Sequence, residues 1–311
     1  MIIIKGTDKI PSEFRDAVVT IGNFDGIHLG HGLIFEQVIA AARQEKRQAL
    51  VITFDPHPKM LLHPERRPFY LITSLEEKIS LLDEIGIDAV ILIPFSLEFA
   101  KTTAETFIRD ILWDKLHIRK IFIGHDYTFG RGKEGNEAYL VLQGSKLGFD
   151  VDVVNAFTIN SGIVSSTRIR NAILEGDVKT AASLLGRPYN LSGPVVVGHR
   201  RGAGLGFPTA NIDPEKVLVP ARGVYAVIVE LDGQRYQGVL NIGYNPTFAD
   251  EKRSVEVHLL DFDGNIYGMT LEVLFIERIR DEVKFDGPDK LVAQIRQDID
   301  RARIILKPLL P

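Results

Sequence analysis

Two periods of apolar residues alternate along the first half of the chain. Ala17 to Ile21, Ala49 to Phe54, Ala89 to Ile93, Lys120 to Gly124 and Val151 to Val154 are short, mostly apolar runs of strand type. Between them the apolar residues recur at helical spacing. Ile34, Val38, Ala41 and Ala42 fall at i, i+4, i+7 and i+8 ahead of the charged stretch Arg43 to Arg47. Leu75, Ile79 and Leu82 repeat the pattern behind a Ser74/Glu77 capping box and before Gly86, and 104–116 and 136–147 supply two more helices. Such alternation predicts an α/β domain with a doubly wound parallel sheet, helices on both faces and ligands at the carboxyl ends of the strands.

Asp177 caps a short helix through Leu185, Gly186 breaks it, and the period then changes to two. Leu191 to Gly198, Val224 to Leu231, Arg235 to Ile242, Val255 to Phe262 and Ile266 to Ile276 read as strands. Two pairs are expected to be hairpins, through Asp232-Gly233 and through Asp263-Gly264-Asn265. Short strands of this kind predict an antiparallel β-barrel. A final helix after Gly287-Pro288 sets Leu291, Ile295 and Ile299 on one face, expected to pack on the barrel. The predicted domains are 1–186 and 187–311.

Composition narrows the function. A chain of 311 residues, 45% hydrophobic and 25% charged, has room for two cores. A net charge of −4 gives no global basic field, so nucleic acid and acidic membranes are not expected partners, and small molecules are. With no cysteine, disulfides, thiolate metal sites and a thiol nucleophile are excluded. No run approaches the ~20 apolar residues of a membrane span, and Met1-Ile2-Ile3-Ile4-Lys5 does not resemble a signal peptide. The expected compartment is the cytoplasm.

The candidate chemistry begins at Gly22-Asn23-Phe24-Asp25-Gly26-Ile27-His28-Leu29-Gly30-His31, where the first apolar run breaks and a helix starts. A helix N-terminus favours an anion such as phosphate. Two imidazoles there can donate hydrogen bonds to it and oppose the charge of a nucleotidyl transfer. The alternatives are an incidental pair of histidines or two zinc ligands, the latter without a third ligand to complete them. Asp55-Pro56-His57-Pro58 follows the second strand, Gly124-His125-Asp126-Tyr127-Thr128-Phe129-Gly130 the fourth, and Ser165-Ser166-Thr167-Arg168 opens a helix after the fifth. Hydroxyls and a guanidinium at a helix start suit a polyphosphate; Ser-Ser-Thr also reads as a plain cap.

In the second domain, 198–211 carries Gly198, Arg200, Arg201, Gly202, Gly204 and Gly206 before Pro208-Thr209-Ala210-Asn211. Glycine backbone N–H groups wrap phosphate oxygens and the arginines supply charge; a loop with no ligand is the alternative. Thr209 and Asn211 point the same way in an extended segment, and their oxygens are of the kind Mg²⁺ takes beside phosphates and waters. Glu256 and His258 share a face opposite Val255, Val257 and Leu259, so Glu256 is either a base for a substrate hydroxyl or a solvated outer-face carboxylate.

Taken in order, these motifs resemble the bacterial bifunctional riboflavin kinase/FMN adenylyltransferase family, also called prokaryotic FAD synthetases. His-x-Gly-His alone indicates only the wider superfamily of α/β nucleotidyltransferases. The Pro-His-Pro loop, the Gly-x-Asp-aromatic-x-Phe-Gly segment and Ser-Ser-Thr-x-Ile-Arg complete the resemblance, with Asp55 where glutamate is frequent and Tyr127 where phenylalanine is. Leu205 to Asn211, Asn245-Pro246-Thr247-Phe248, Val255 to Phe262 and Arg280 to Phe285 resemble the riboflavin kinase module.

The resemblance implies that the second domain phosphorylates riboflavin to FMN and the first adenylylates FMN to FAD, both with ATP and Mg²⁺. It implies His28, His31 and Arg168 as catalytic in adenylyl transfer and Glu256 as the kinase base. Gly22, Asn23, Phe24, Asp25, Gly26, Gly30, Asp126, Ser165, Ser166, Thr167, Gly198, Arg200, Gly202, Gly206 and Pro208 would lie at nucleotide. Asp55, Pro56, His57, Pro58, Asn245, Arg280 and Phe285 would lie at flavin, and Thr209 and Asn211 at the metal. Two rivals are an adenylyltransferase for another acceptor, such as a pantetheine or nicotinamide nucleotide, and a non-catalytic flavin-binding regulator. The barrel argues against the first, and the presence of His28, His31 and Glu256 against the second.

Overall fold

Six parallel strands form one sheet in the computed structural model, which describes residues 1–66, 68–198, 203–244 and 253–310. They are β1 (Ile2–Lys5), β2 (Val18–Ile21), β3 (Ala49–Asp55), β4 (Ala89–Pro94), β5 (Lys120–Gly124) and β6 (Asp150–Val154), in the order β1-β4-β3-β2-β5-β6. Successive residues of a strand face opposite ways, and both faces are covered. Val18, Val51, Val90 and Phe122 pack with Phe35 and Val38 of α1 (Leu29–Gln44) and Leu82 of α3 (Leu75–Ile85), α2 being Pro58–Leu62. Val19, Leu50, Ile91 and Ile121 pack on the opposite face with Phe107, Ile111 and Leu140. Those three come from α4 (Ala104–Thr106), which runs on as a π-wound segment Phe107–Lys115, and from α5 (Glu137–Leu147).

The doubly wound sheet is therefore as expected, with one strand added. The added strand is β1, which pairs with β4 along the sheet's edge through Ile2↔Ala89 to Lys5↔Leu92. The chain winds from β2 through β3 to β4 on one side and resumes with β5 and β6 on the other. β2 and β5 thus flank the topological switch point, where open α/β sheets hold ligands. The capping box on α3 is present, Ser74 Oγ accepting from Glu77 N–H at 3.1 Å and Glu77 accepting from Ser74 N–H at 2.8 Å.

By contacts the chain divides into Met1–Ser165 and Ser166–Pro311. The periodicity change at Gly186 comes later because α6 (Ser166–Glu175) and α7 (Val178–Leu185), which follow a small hairpin of β7 (Thr158–Ile159) and β8 (Gly162–Ile163), pack with the second unit. There α6 packs on α7, and α7 on β9 (Tyr189–Val196) and on β14 (Thr270–Arg280).

The second unit is a closed antiparallel barrel, β10-β13-β12-β11-β14-β9, with β10 Ala210–Ile212, β11 Gly223–Leu231, β12 Gln234–Tyr244 and β13 Arg253–Leu259. The Asp232-Gly233 hairpin is as expected: Leu231 pairs with Gln234, and both turn residues have positive φ, as a two-residue turn requires. The second expected hairpin is corrected. β13 pairs with β10 and β12, while β14 pairs with β11 and β9, so 260–269 is a crossing between non-neighbours. β10, which no pattern announced, closes the ring between β9 and β13.

The final helix α8 (Pro288–Leu306) packs on β11, β12 and β14. Its buried face also needs correcting: Ala302 and Leu306 are fully covered, whereas Leu291, Ile295 and Ile299 are only partly buried. Asp298 shares the buried face and receives Arg280 through both Nε (2.9 Å) and Nη2 (2.7 Å). Deleting one member of such a pair strands the other's charge. Asp298→Ala is expected to destabilise the second unit by about 3 kcal/mol, read as a lower denaturation midpoint by circular dichroism; a change below about 1 kcal/mol would place that guanidinium with solvent-exposed pairs.

Candidate functional site

Two centres are built within the described residues, one in each unit. In the first, β2 ends at Ile21 and Gly22 N–H still donates to Ile52 C=O at 3.1 Å. The chain then turns through Phe24 (φ 46°), Gly26 (φ 90°) and Ile27 (φ 41°). Only glycine visits that left-handed region cheaply, and a β-branched residue there is an outlier.

The segment 72–78 holds the turn in place. Asp25 Oδ1 accepts from Ile72 N–H (3.0 Å) and Thr73 N–H (3.3 Å), and Gly26 N–H donates to Thr73 Oγ1 (3.1 Å). Lys78 Nζ donates to Asn23 C=O at 2.7 Å. Asp25, read from the sequence as a nucleotide residue, is 2% exposed and acts in this geometry as the turn's anchor.

The turn delivers His28 as the N-cap of α1. His28 Nδ1 accepts from His31 N–H at 3.3 Å, which puts the imidazole proton of neutral His28 on Nε2, a donor. The two rings stack at 3.5 Å between centroids, and Phe24 meets His31 edge-on at 5.2 Å. A Cβ at Gly30 would lie 3.2 Å from His28 Cε1, so the imidazole would have to give way by a few tenths of an ångström. Burial, with the charges of His28 and Lys78, holds His31 well below its ordinary pKa of 6.5, so the pair is kept from carrying two charges at neutral pH.

Two further predicted segments follow the carboxyl ends of β3 and β5. His57 caps α2, accepting from Lys59 N–H at 3.2 Å, and its ring lies 4.7 Å from Phe69. Asp55-Pro56 is a cis peptide. Past β5, Asp126 follows Gly124 in a turn closed by Tyr127 N–H to Gly124 C=O, and Tyr127 stacks on Phe129 at 5.5 Å. Burial raises the Tyr127 phenol's pKa, so it stays neutral. Phe54, Phe95, Phe99, Phe107 and Phe129 continue as an aromatic chain with centroid steps of 5.8 to 6.4 Å. Ser166, Thr167 and Arg168 form the first turn of α6.

In the second centre, barrel register places three side chains in a row: Asn211 of β10 pairs opposite Glu256 of β13, and Glu256 opposite Asn241 of β12. Thr209 Oγ1 donates to Glu256 Oε2 at 3.4 Å, so the residues expected at metal and base do meet. His258 Nδ1 lies 2.7 Å from Pro208 C=O; a carbonyl only accepts, so that nitrogen carries the proton. Gly198 lies so close to Asn211 that a Cβ would overlap its side-chain amide nitrogen. Arg280 is held by Asp298, with its guanidinium 5.7 Å from the Phe285 ring centroid. Arg200, Arg201, Gly202 and Asn245 lie outside the described residues, and Gly206 (φ 87°) stands in open space.

No group of three histidine, aspartate or glutamate side chains gathers among the described residues. A cation at the second centre would therefore rest on hydroxyl and amide oxygens, and the hard oxygen set of Thr209 and Asn211 beside Glu256 fits Mg²⁺. Two participants escaped the sequence reading. Lys78 did carry a signal, a lysine on the inward face between Leu75 and Leu82; Asn241 shows itself only through strand pairing.

A family model described as FAD synthetase matches residues 10–168, and one described as riboflavin kinase matches 185–306. The bifunctional riboflavin kinase/FMN adenylyltransferase of Haemophilus influenzae is 37% identical over 304 residues, covering 97% of this chain and 98% of its own. That of Escherichia coli K12 is 37% identical over 305 residues, with 97% of each covered. A solved structure titled as a macrolide-efflux protein from Streptococcus pneumoniae superposes with TM-score 0.89 at 37% identity, over 97% of this chain and 99% of that one. No helix among the described residues here is long and apolar enough to cross a membrane.

Neutral burial of His31 links the first unit's stability to pH. Its folded pKa is below its unfolded value, so the folded form binds fewer protons, and the stabilisation present above about pH 6.5 is lost as pH falls toward the folded pKa. His31→Gln is expected to flatten that acid-side slope in denaturation curves taken between about pH 7 and 5; an unchanged slope would remove His31 as its source.

Proposed function

The chain belongs to the bifunctional riboflavin kinase/FMN adenylyltransferase family, and on that footing we propose how its residues divide the two reactions. It phosphorylates riboflavin to FMN with ATP and adenylylates FMN to FAD, releasing pyrophosphate.

The second centre is assigned to the kinase, and the contact of Thr209 with Glu256 carries that assignment. Riboflavin's ribityl hydroxyl must lose a proton as it attacks the γ-phosphorus, and Glu256 accepts it. Thr209 and Asn211 would hold Mg²⁺ with ATP; when bound, that ion neutralises charge on the transferring phosphoryl group. Gly198, Arg200, Gly202, Gly206 and Pro208 are assigned to nucleotide, and Asn245, Arg280 and Phe285 to the flavin side.

The first centre is assigned to adenylyl transfer, supported by the stacked His28/His31 pair at the start of α1. FMN's phosphate is already anionic at neutral pH, so this step needs donors and positioning rather than a base. His28 and His31 donate to the triphosphate, and the polyphosphate roles of Ser165, Ser166, Thr167 and Arg168 rest on their motif. Phe54, Phe95 and Phe99, the partly exposed members of the aromatic chain, offer apolar faces on which an isoalloxazine stacks. The compartment that suits these substrates is the cytoplasm.

Separate assays on one chain test the division. Glu256→Gln is expected to lower riboflavin phosphorylation roughly 10²–10⁴-fold and spare FMN adenylylation. His28→Ala or His31→Ala should do the reverse, by about 10²–10³-fold, with partial recovery in the asparagine or glutamine variants. Kinase activity within a few fold of the parent in Glu256→Gln would reduce that residue to a surface carboxylate.

The domain boundary has its own test. A fragment 1–186, which keeps Arg168 and α6–α7, is expected to turn supplied FMN, but not riboflavin, into FAD, whereas a fragment 1–165 is not. FAD formation by the shorter fragment would remove Arg168 from the reaction.

A further inference from the structure

Lys78 is a buried cation that the division of labour above leaves unused. It is 5% exposed on the inward face of α3, and burial pulls its pKa down against the opposing pull of Asp25 and Asp55. A buried ammonium is costly, and an apolar side chain of similar length would fill the same space more cheaply. Its contact there is specific: Nζ donates to the Asn23 carbonyl at 2.7 Å, where β2 gives way to the turn. Thr53 Oγ1 reaches the same oxygen at a weaker 3.4 Å. From that carbonyl the chain has five residues to bring His28 to the helix cap, and three neighbours along the way, Phe24, Gly26 and Ile27, sit in the left-handed region. The orientation of the Asn23 peptide therefore sets the direction in which both imidazoles are presented.

We infer that Lys78 is a positioning residue for adenylyl transfer, fixing the Asn23 carbonyl so that the turn presents His28 and His31 in the geometry the reaction needs. The inference rests on the assignment of the first centre to that step. Misplacing a reacting group by about 1 Å costs on the order of 10²-fold in rate, whereas the barrel's reaction has no part in this contact.

The test uses the full chain. Lys78→Met is expected to lower kcat for FMN adenylylation on the order of 10²-fold, with KM for ATP moving by only a few fold. Riboflavin phosphorylation, measured on the same preparation, should be unchanged. Lys78→Arg, which keeps charge and donor, should recover most of the loss, and Thr53→Val, which removes only the weaker bond, should cost little. A methionine variant within about threefold of the parent overturns the inference. So does a folded arginine variant as inactive as the methionine one, or an activity loss that tracks a fall in melting temperature common to both, which makes Lys78 a structural cation only. His28→Ala and His31→Ala serve as the reference. If both keep full FAD formation, the assignment of the centre fails and the inference with it; if they are inactive and Lys78→Met is not, only the inference fails.

Discussion

The turn between Asn23 and His28 is held in a backbone conformation that its own residues disfavour. Left-handed φ at a non-glycine residue costs of order 1–3 kcal/mol, and Phe24 and Ile27 both adopt it. The opposing terms come from one segment. Two N–H groups converge on the Asp25 carboxylate, Gly26 bonds Thr73, and an ammonium takes the Asn23 carbonyl. Hydrogen bonds to a charged group contribute about 1.5–3 kcal/mol each, so the clamp can hold the turn. The result is a helix whose N-cap is an imidazole instead of the usual hydroxyl or carboxylate. That substitution places a chemical group where phosphate is favoured, at the switch point of the sheet.

The barrel solves a different problem by different means. Its centre needs no strained turn, because strand register alone sets Asn211, Glu256 and Asn241 side by side across three strands. The two reactions ask for different chemistry. A neutral hydroxyl needs a carboxylate to accept its proton, whereas an anionic phosphate needs donors around the phosphorus it attacks. The carboxylate stands in one centre and the imidazole pair in the other.

What could be read from the sequence was local. The parallel strands, the capping box and the Asp232-Gly233 turn depend on residues a few positions apart. β1 was missed because Ile2 and Ile3 lie on an edge strand, half exposed, and their pairing partner is nearly ninety positions away. β10 is three residues long and has no period; only its partners β9 and β13 define it. Asp263-Gly264-Asn265 has turn composition, but composition does not say which strands the turn joins. The motif residues of the first centre were recognisable individually, while Asp25's role as an anchor and Lys78's as its companion depend on 72–78, fifty residues on. The pairing of Asp298 with Arg280 joins a helix to a barrel strand eighteen residues earlier, and no local pattern announces it.

Gly198 and the Asn211 amide meet at van der Waals contact or closer. Gly198 has no left-handed φ, so its lack of a side chain serves volume rather than conformation. A drift to alanine at 198 would push the amide of 211 off its place beside Glu256 unless 211 shortened as well, and a shorter 211 would forfeit its oxygen. A side chain at 198 and the amide of 211 therefore compete for one volume, the space beside Glu256.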